Sequence, residues 1–345
     1  MFFAPACPYG GSWLKMKKLI NDPFDFVEEM LEGFCAAHDD LIKRVGRRAI
    51  ARIDAPIKGK VGVVVGGGSG HLPLYTAFVG KGGADAAPAG NIFASPPAKP
   101  ILEATRAANG GAGVVYFYGN YAGDVLNFDR AAAMAEAEGI RVATVLGTDD
   151  VASAPPSEVH HRRGIAGAFL VVKALCAKAE TMADFDAVVA TARKANANTR
   201  TMGVALTACT VPANGKPTFT IGDDEMEVGL GVHGEPGVRR AKLAPVDAIV
   251  DELVETILAD LDFTGSDVAV LVNGLGATPY EELYVMYRRV KQILDARRIT
   301  IRRKYVGEYA TSLEMAGASV SLMRLDAELH DLLAMPMHTP MIKQF

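Results

Sequence analysis

Apolar runs that end at glycine alternate with amphipathic stretches along the first half of the chain. Residues 61–65 form a β-branched run that stops at consecutive glycines, and residues 113–118 and 140–146 are similar apolar runs. Short runs of this kind predict buried strands. Residues 97–109 and 128–138 lie between these runs and have helical periodicity. Because strands and helices alternate, the pattern predicts an α/β fold with a parallel sheet.

The alternation restarts after a polar, unpatterned stretch at residues 194–201, which predicts a domain boundary. Strands are expected at 203–208, 268–272, 299–307 and 319–325, and a helix at 245–261. We therefore predict two α/β domains with mostly parallel sheets, at residues 16–197 and 198–345. The substrate site should lie beyond the strand ends, at the interface of the two domains.

Two helix starts are predicted from capping patterns. Asp22-Pro23 offers an acidic N-cap followed by proline, and Thr278-Pro-Tyr-Glu281 matches a capping box. Residues 1–15 contain helix-breaking prolines and glycines and lack the basic start of a secretory signal. We expect them to be a disordered extension or to result from an upstream start, with Met16 as the natural first residue.

Composition narrows the class of protein. Half of the residues are hydrophobic, 22% are charged, and the net charge is −4, which gives no support for nucleic-acid or membrane binding. Hydrophobic runs stay shorter than the roughly 20 residues of a membrane-spanning helix. The four cysteines are scattered without a Cys-x-x-Cys pair, so neither a zinc site nor a disulfide framework is predicted. A reducing, cytoplasmic location is therefore expected.

The glycine loop after the first strand is the strongest chemical signal. Gly66-Gly-Gly-Ser-Gly-His71 lacks the lysine of a Walker A loop, the third glycine of the dinucleotide fingerprint and the second flanking glycine of a nucleophile elbow. Its backbone N–H groups and imidazole suit a small polar ligand. A plain strand-to-helix turn is the alternative for a glycine cluster considered alone.

Two further side chains are candidates by position. Asp124 follows a predicted strand and precedes a helix, so it can serve chemistry or simply cap that helix. His233 lies within a glycine-rich stretch at 229–237, and neutral imidazole is a nucleophile toward carbonyl groups. A histidine that merely fills the core is the alternative. The acidic run at 223–227 is interpreted as a solvated turn rather than a cation site.

Six segments, in matching order, resemble one enzyme family. They are Met16-Lys-Lys-Leu-Ile-Asn-Asp, Gly66-Gly-Gly-Ser-Gly-His71, Asn120-Tyr-Ala-Gly-Asp-Val-Leu-Asn-Phe128, Ala208-Cys-Thr-Val-Pro212, Gly231-Val-His-Gly-Glu-Pro-Gly237 and Asn273-Gly-Leu-Gly-Ala-Thr-Pro279. Together they resemble the K subunit of dihydroxyacetone kinase, from Met16 to about Pro340.

The resemblance implies a role for each matched residue. His233 would add to the carbonyl of a ketone or aldehyde and hold it as a covalent hemiaminal. His71 or Asp124 would accept the proton of the attacking hydroxyl, since phosphoryl transfer needs positioning, charge stabilisation and a base. The substrate hydroxyls would be held by the glycine loop and one carboxylate, namely Gly68, Ser69, Gly70, His71 and Asp124.

The resemblance also implies partners. The phosphoryl group would come from ADP or ATP with magnesium on a separate L subunit, so this chain would carry no cofactor or metal. The chain would form a homodimer, with the L subunit docked over its site. The reaction would be phosphotransfer to an alcohol group of dihydroxyacetone (glycerone) or a related four-carbon or branched ketose. The alternative is a non-catalytic relative that binds the ketone as a signal and acts as a transcriptional coactivator.

Three positions depart from the family pattern. Leu72 stands where glutamate is usual, Gly119 where lysine is usual, and Asn91 where an acid is usual. Loss of the lysine should free space at the pocket wall. Joint loss of an acid and a base predicts a reshaped pocket, because losing only one would strand a charge. A four-carbon ketose such as erythrulose is then expected as substrate, unless other side chains refill the gap.

Overall fold

The computed structural model describes residues 17–345, so the expected extension at 1–15 lies outside the described residues. The helices are α1 Phe26–Ala37, α2 Ala98–Ala108, α3 Ala122–Ala137, α4 Ala168–Glu180, α5 Phe185–Ala197, α6 Val246–Asp260, α7 Tyr280–Ala296 and α8 Ala327–Ala334. The strands are β1 Ile42–Arg44, β2 Ala49–Arg52, β3 Gly62–Val65, β4 Gly67–Ser69, β5 Ala86–Ile92, β6 Val114–Gly119, β7 Val142–Gly147, β8 Thr199–Ala205, β9 Thr210–Val211, β10 Lys216–Pro217, β11 Glu225–Val228, β12 Arg239–Lys242, β13 Asp267–Gly274, β14 Thr300–Gly307, β15 Gly317–Leu325, β16 Met337–His338 and β17 Lys343–Gln344.

The first sheet is mostly parallel, as predicted. Its strand order is β1-β2-β5-β3-β6-β7, with β4 against β5. Strands β5, β3, β6 and β7 pair in parallel, while β1 and β2 add an antiparallel edge. Val64 packs in a core with α2 and α3, whereas Val63 and Val65 pack in a core with α4 and α5. The β-branched run is therefore buried on both faces, which explains why it is continuous rather than alternating.

The second sheet departs from the prediction of mostly parallel pairing. Its order is β12-β11-β8-β15-β13-β14, and within it only β13 and β14 pair in parallel. Parallel neighbours need a crossover connection, which α7 supplies between β13 and β14. The α/β class is confirmed, but this sheet is mixed and largely antiparallel.

The central helix α4 packs against both halves of the molecule. Its residues share one core with Val63 and Val65 of the first sheet and with Ala269 and Leu271 of the second. Strands up to Gly147 belong to the first sheet, and strands from Thr199 onward lie outside it. The domain division at residue 197 stays a prediction.

A helix starts within the Thr278–Glu281 segment as predicted, and another starts four residues after Asp22, but neither predicted side-chain cap forms. Helix α1 begins at Phe26, and Asp22 instead accepts a hydrogen bond from the N–H of Phe24 at 2.8 Å in the preceding turn. Helix α7 begins at Tyr280, but the Thr278 hydroxyl donates to the carbonyl of Gly317 at 2.7 Å and accepts from its N–H at 2.8 Å. At Thr278, a distant backbone partner therefore replaces the local cap.

Several general features are observed within residues 17–345. No helix there combines the length and the apolar character needed to cross a membrane. No group of three or more histidine, cysteine, aspartate or glutamate side chains in that range is arranged to hold a metal ion. Cys35, Cys176 and Cys209 are free thiols.

Candidate active site

Three of the predicted residues come together where loops from both sheets meet. His71 follows β4, Asp124 lies in the first turn of α3 beyond β6, and His233 lies between β11 and β12. The rings of His71 and His233 are 4.8 Å apart at an interplanar angle of 69°. The charge of His233 also influences the carboxyl of Asp124. The structure thus gathers residues that are up to 162 positions apart in the sequence.

The glycine loop is pressed against the segment that follows β5. A Cβ on Gly68 would lie 2.7 Å from the backbone nitrogen of Ala94, and a Cβ on Gly70 would lie 2.8 Å from the ring of Phe93. Gly70 also has a φ of +104°, a conformation that favours glycine. Ser69 donates its hydroxyl to the carbonyl of Gly90 at 2.8 Å. The loop is therefore rigidly placed, and Ser69 has only lone pairs left for a ligand.

His71 is a neutral hydrogen-bond acceptor. Its Nδ1 lies 2.8 Å from the carbonyl oxygen of Thr311, and a carbonyl can only accept, so Nδ1 carries the proton. Nε2 then holds the lone pair, is buried, and has no partner within residues 17–345. Burial, and next the charge of His233, lower the pKa of His71 to about 3.

His233 is oriented by a carboxylate. Its Nδ1 lies 2.8 Å from Glu235 Oε1, and its backbone N–H donates to Glu235 Oε2 at 2.9 Å. Burial by itself would raise the pKa of Glu235, but the hydrogen bonds and the charge of His233 outweigh burial and hold that pKa at about 2. Because an ionised carboxylate only accepts, His233 donates Nδ1–H, and in its neutral form the ring keeps its lone pair on Nε2.

Glu235 was missed by the sequence reasoning, although it is part of the Gly231–Gly237 motif. The available signal was an acid two residues after a proposed nucleophile, since a nucleophile or base is commonly oriented by a third group. Thr311, which orients His71 across 240 positions of sequence, had no local signal.

Aromatic rings enclose the imidazole of His233. The Tyr121 ring lies 4.7 Å from it at 78°, and the Phe93 ring lies 5.3 Å from it at 70°. The Tyr121 hydroxyl donates to the carbonyl of Gly164 at 3.2 Å, which fixes that ring. Both residues were missed as candidates, although Tyr121 lies within a matched segment. They restrict access to His233 and reduce its exposure to water.

Asp124 is a buried carboxyl with an unpaired oxygen. The residue is 6% exposed, and its Oδ1 has no hydrogen-bond partner in the part of the chain that the structure describes. Burial raises the pKa of Asp124 to about 6, against the opposing influence of the Ser95 hydroxyl and His233. Asp124 lies inside α3, whose N-cap position is Tyr121. The helix-capping interpretation is therefore wrong.

The space expected beside Gly119 is filled. A Cβ on Gly119 would lie 2.8 Å from a ring atom of Tyr121 and 3.2 Å from the carbonyl oxygen of Gly164. The expectation that loss of a lysine frees room at this wall is therefore wrong, because the Tyr121 ring occupies that room.

The other two departures make no side-chain hydrogen bond to the imidazoles. Asn91 is exposed and accepts a hydrogen bond from Arg48. Leu72 lines an apolar cavity of about 180 Å³ together with Phe26 and Met30 of α1. Neither residue donates or accepts a hydrogen bond with its side chain toward His71 or His233, so these substitutions leave the reactive groups unchanged.

Comparison with known proteins identifies the family of the chain. The family model described as the Dak1 domain matches residues 32–341, which is most of the chain. The chain belongs to the Dak1 family. All of the candidate residues lie within the matched range.

Relatives in this family include dihydroxyacetone and erythrulose kinases. The dihydroxyacetone-binding subunit DhaK of PTS-dependent dihydroxyacetone kinase 2 from Listeria innocua is 47% identical over 331 residues, which cover 95% of this chain and 99% of that protein. The D-erythrulose kinase of Mycolicibacterium smegmatis is 46% identical over 330 residues, covering 95% of this chain but 57% of that longer protein. A solved structure of the dihydroxyacetone kinase operon co-activator DhaQ superposes with a TM-score of 0.84 at 32% identity, covering 90% of this chain and 96% of the co-activator.

Proposed function

We propose that this chain is the substrate-binding subunit of a kinase for short ketoses. The observation that carries the proposal is that the imidazole rings of His71 and His233 lie 4.8 Å apart, with His233 close enough to influence the buried carboxyl of Asp124. One imidazole is paired with a carboxylate and one with a carbonyl, so the two rings suit different roles. The enzyme class is a phosphotransferase with an alcohol group as acceptor.

The first step is covalent capture of the ketone. The Nε2 lone pair of His233 forms a bond to the carbonyl carbon, and the electron pair of the C=O double bond moves to oxygen. The ring loses its Nδ1 proton overall, and the oxygen gains one, which gives a neutral hemiaminal. The positive charge that develops on the ring is stabilised by Glu235, whose carboxylate lies 2.8 Å from Nδ1. Polyols without a carbonyl cannot undergo this addition, so capture selects for ketoses.

The second step is phosphoryl transfer to a substrate hydroxyl. The hydroxyl oxygen would form a bond to the phosphorus of the donor, the bond from that phosphorus to the donor's leaving oxygen would break, and the hydroxyl proton would pass to a base. The best base has a pKa near the working pH. Asp124, with a pKa of about 6, meets this condition better than His71, with a pKa of about 3. We therefore assign the proton to Asp124. His71 accepts a hydrogen bond from a substrate hydroxyl through Nε2, alongside the backbone of Gly68, Ser69 and Gly70.

The substrate is a ketose of three or four carbons. Relatives of similar identity are named for dihydroxyacetone and for D-erythrulose, which supports this size range. The ring of Tyr121 at the Gly119 wall removes the structural reason for excluding the triose. We propose that both ketoses bind, with the carbonyl on His233.

The phosphoryl donor is proposed to lie on a partner. The glycine loop matches neither a Walker A loop nor a dinucleotide fingerprint. ADP or ATP with magnesium on an L subunit docked over His233 is the arrangement that we infer, with this chain as a homodimer. The second candidate function is that of a ketone-sensing coactivator, which the likeness to the DhaQ co-activator favours. The buried carboxyl of Asp124, whose pKa of about 6 suits a base and which lies within the influence of His233, supports the kinase over the coactivator.

The proposal is tested with a ketose carrying ¹³C at the carbonyl carbon. On binding to the wild type, the carbonyl resonance should be replaced by that of a tetrahedral carbon, and native mass spectrometry should show one ketose per chain. The His233→Ala variant should bind without this change. Addition of an L subunit with ATP and magnesium should then give phosphorylated product. A trigonal carbonyl signal in the wild-type complex would refute covalent capture, and an adduct without turnover on any L subunit would favour the coactivator.

A further inference from the structure

Arg163 contacts the loop that carries His233 from outside the substrate site. Its Nε lies 2.8 Å from Asp150 Oδ2, and its Nη2 donates to the carbonyl of Gly229 at 3.2 Å. Asp150 is fully buried just beyond β7, and it also accepts a hydrogen bond from the backbone of Ala152 at 3.0 Å. The guanidinium therefore joins the end of a first-sheet strand to the loop that presents the nucleophile.

The same guanidinium approaches the carboxylate that orients His233. The point where a Cβ on Gly231 would lie is 2.2 Å from Glu235 Oε2 and 2.8 Å from Arg163 Nη1. Both groups thus flank Gly231, and only a residue without a side chain leaves room for them. Arg163 therefore lies on the same side of the loop as the Glu235 carboxylate, and its direct hydrogen bond to this loop is the one to the carbonyl of Gly229.

We propose that Arg163, anchored by Asp150, is a positioning residue that holds the loop carrying Glu235 and His233, and thereby the ring of His233, in the orientation for attack. This inference rests on the proposed function, because the benefit of a fixed ring is rapid addition to a carbonyl. Arginine suits this role because its planar guanidinium can bind the carboxylate of Asp150 and the carbonyl of Gly229 at once. Lysine offers only a single point charge.

The neighbouring Arg162 provides a matched control. It is 0% exposed and pairs with Asp260 through Nη1 and Nη2 at 2.8 and 2.5 Å, while its Nε donates to the carbonyl of Ala154 at 2.8 Å. None of these partners lies in the loop at 229–237. Replacement of Arg162 therefore disturbs a buried ion pair of similar chemistry without removing a contact to the His233 loop.

The experiment compares Arg163→Lys, Asp150→Asn and the control Arg162→Lys. In the free proteins, ¹⁵N NMR of the His233 ring should report a single Nδ1–H tautomer in the wild type and in the control, and a mixture in the two test variants. The rate of adduct formation with ¹³C-labelled dihydroxyacetone should fall about 100-fold in Arg163→Lys, the effect expected from a shift of about 1 Å in a reacting group. The control should keep its rate per folded molecule within about twofold of wild type.

Each outcome decides the proposal. Wild-type ring signals and wild-type rates of adduct formation in both test variants would overturn it. An equal loss of rate in Arg162→Lys would also overturn it, because such a loss would indicate general destabilisation. If Arg163→Lys folds poorly, Asp150→Asn tests the same proposal by removing the charged partner of Arg163. If the wild type forms no adduct, the proposed function fails, but the ring signals of the free proteins still decide whether Arg163 positions His233.

Discussion

Replacement of Asp124 by asparagine should make the protein more stable and nearly inactive. The carboxyl is buried and its Oδ1 has no partner within residues 17–345, so its negative charge destabilises the folded state. An amide of the same shape removes that charge. It also removes the proposed base, and loss of a base costs roughly 100- to 10,000-fold in rate.

The size and pH dependence of the stability change follow from the pKa. Burial raises the pKa of Asp124 from 3.8 to about 6. Each pKa unit corresponds to 1.36 kcal/mol, so ionising this buried group costs about 3 kcal/mol of folding free energy. Because the folded-state pKa is the higher one, the wild type loses this stability as pH rises from about 4 through about 6. The Asp124→Asn variant lacks this loss, so its advantage should be near zero at about pH 4 and fully developed above about pH 7.

The assay is urea unfolding of both proteins at several pH values, together with kcat/KM for the coupled reaction. Asp129→Asn, an exposed change on the same helix, is the control and should alter neither quantity comparably. Wild-type kcat/KM should also decline below about pH 6, where Asp124 becomes protonated. A stability difference that does not grow with pH, or a rate within tenfold of wild type, would refute the reasoning.

Three further substitutions test the site. Glu235→Gln should slow adduct formation about 100-fold while leaving the decline near pH 6 in place, because Glu235 has a pKa of about 2; an unchanged rate would contradict its role. Gly70→Ala should lower the free energy of unfolding by about 1–3 kcal/mol, since it combines a φ of +104° with a contact to Phe93, and unchanged urea unfolding would contradict this. Gly119→Ala should raise KM for erythrulose by displacing the Tyr121 ring; equal KM values would show that the ring moves freely.

The sequence predicts the elements whose signal is local. The apolar runs at 61–65 and 113–118 are strands as predicted, because glycines bound them and both of their faces are buried. The sequence predicts that α3 begins at about residue 128, but the helix begins at Ala122. The prediction is late because Tyr-Ala-Gly carries no helix signal. The cap at Thr278 failed because its hydroxyl binds Gly317, a partner 39 positions away. Local patterns identify elements, but long-range partners decide their ends.

The same division applies to the site. His71, Asp124 and His233 were named from motifs, and the structure brings them together. The burial that raises the pKa of Asp124 could not be inferred from its position after a strand, where capping was an equally good explanation. Similarly, the loss of a lysine at Gly119 suggested free space, but the ring of Tyr121, only two residues later, fills it. The burial of a side chain and the space beside it depend on how distant parts of the chain pack, so a local sequence pattern does not predict them.

The partners of the two histidines explain why one of them is assigned as the nucleophile. Both rings carry the proton on Nδ1 and the lone pair on Nε2, so the tautomer alone does not distinguish them. Addition to a carbonyl makes the attacking ring positive until its Nδ1 proton leaves. At His233 that charge develops 2.8 Å from a carboxylate, whereas at His71 it would develop in a buried setting against one carbonyl. The pKa of His71, lowered to about 3 by burial and by His233, reflects how strongly its surroundings disfavour a cation. We therefore propose bond formation at His233 and hydrogen-bond acceptance at His71.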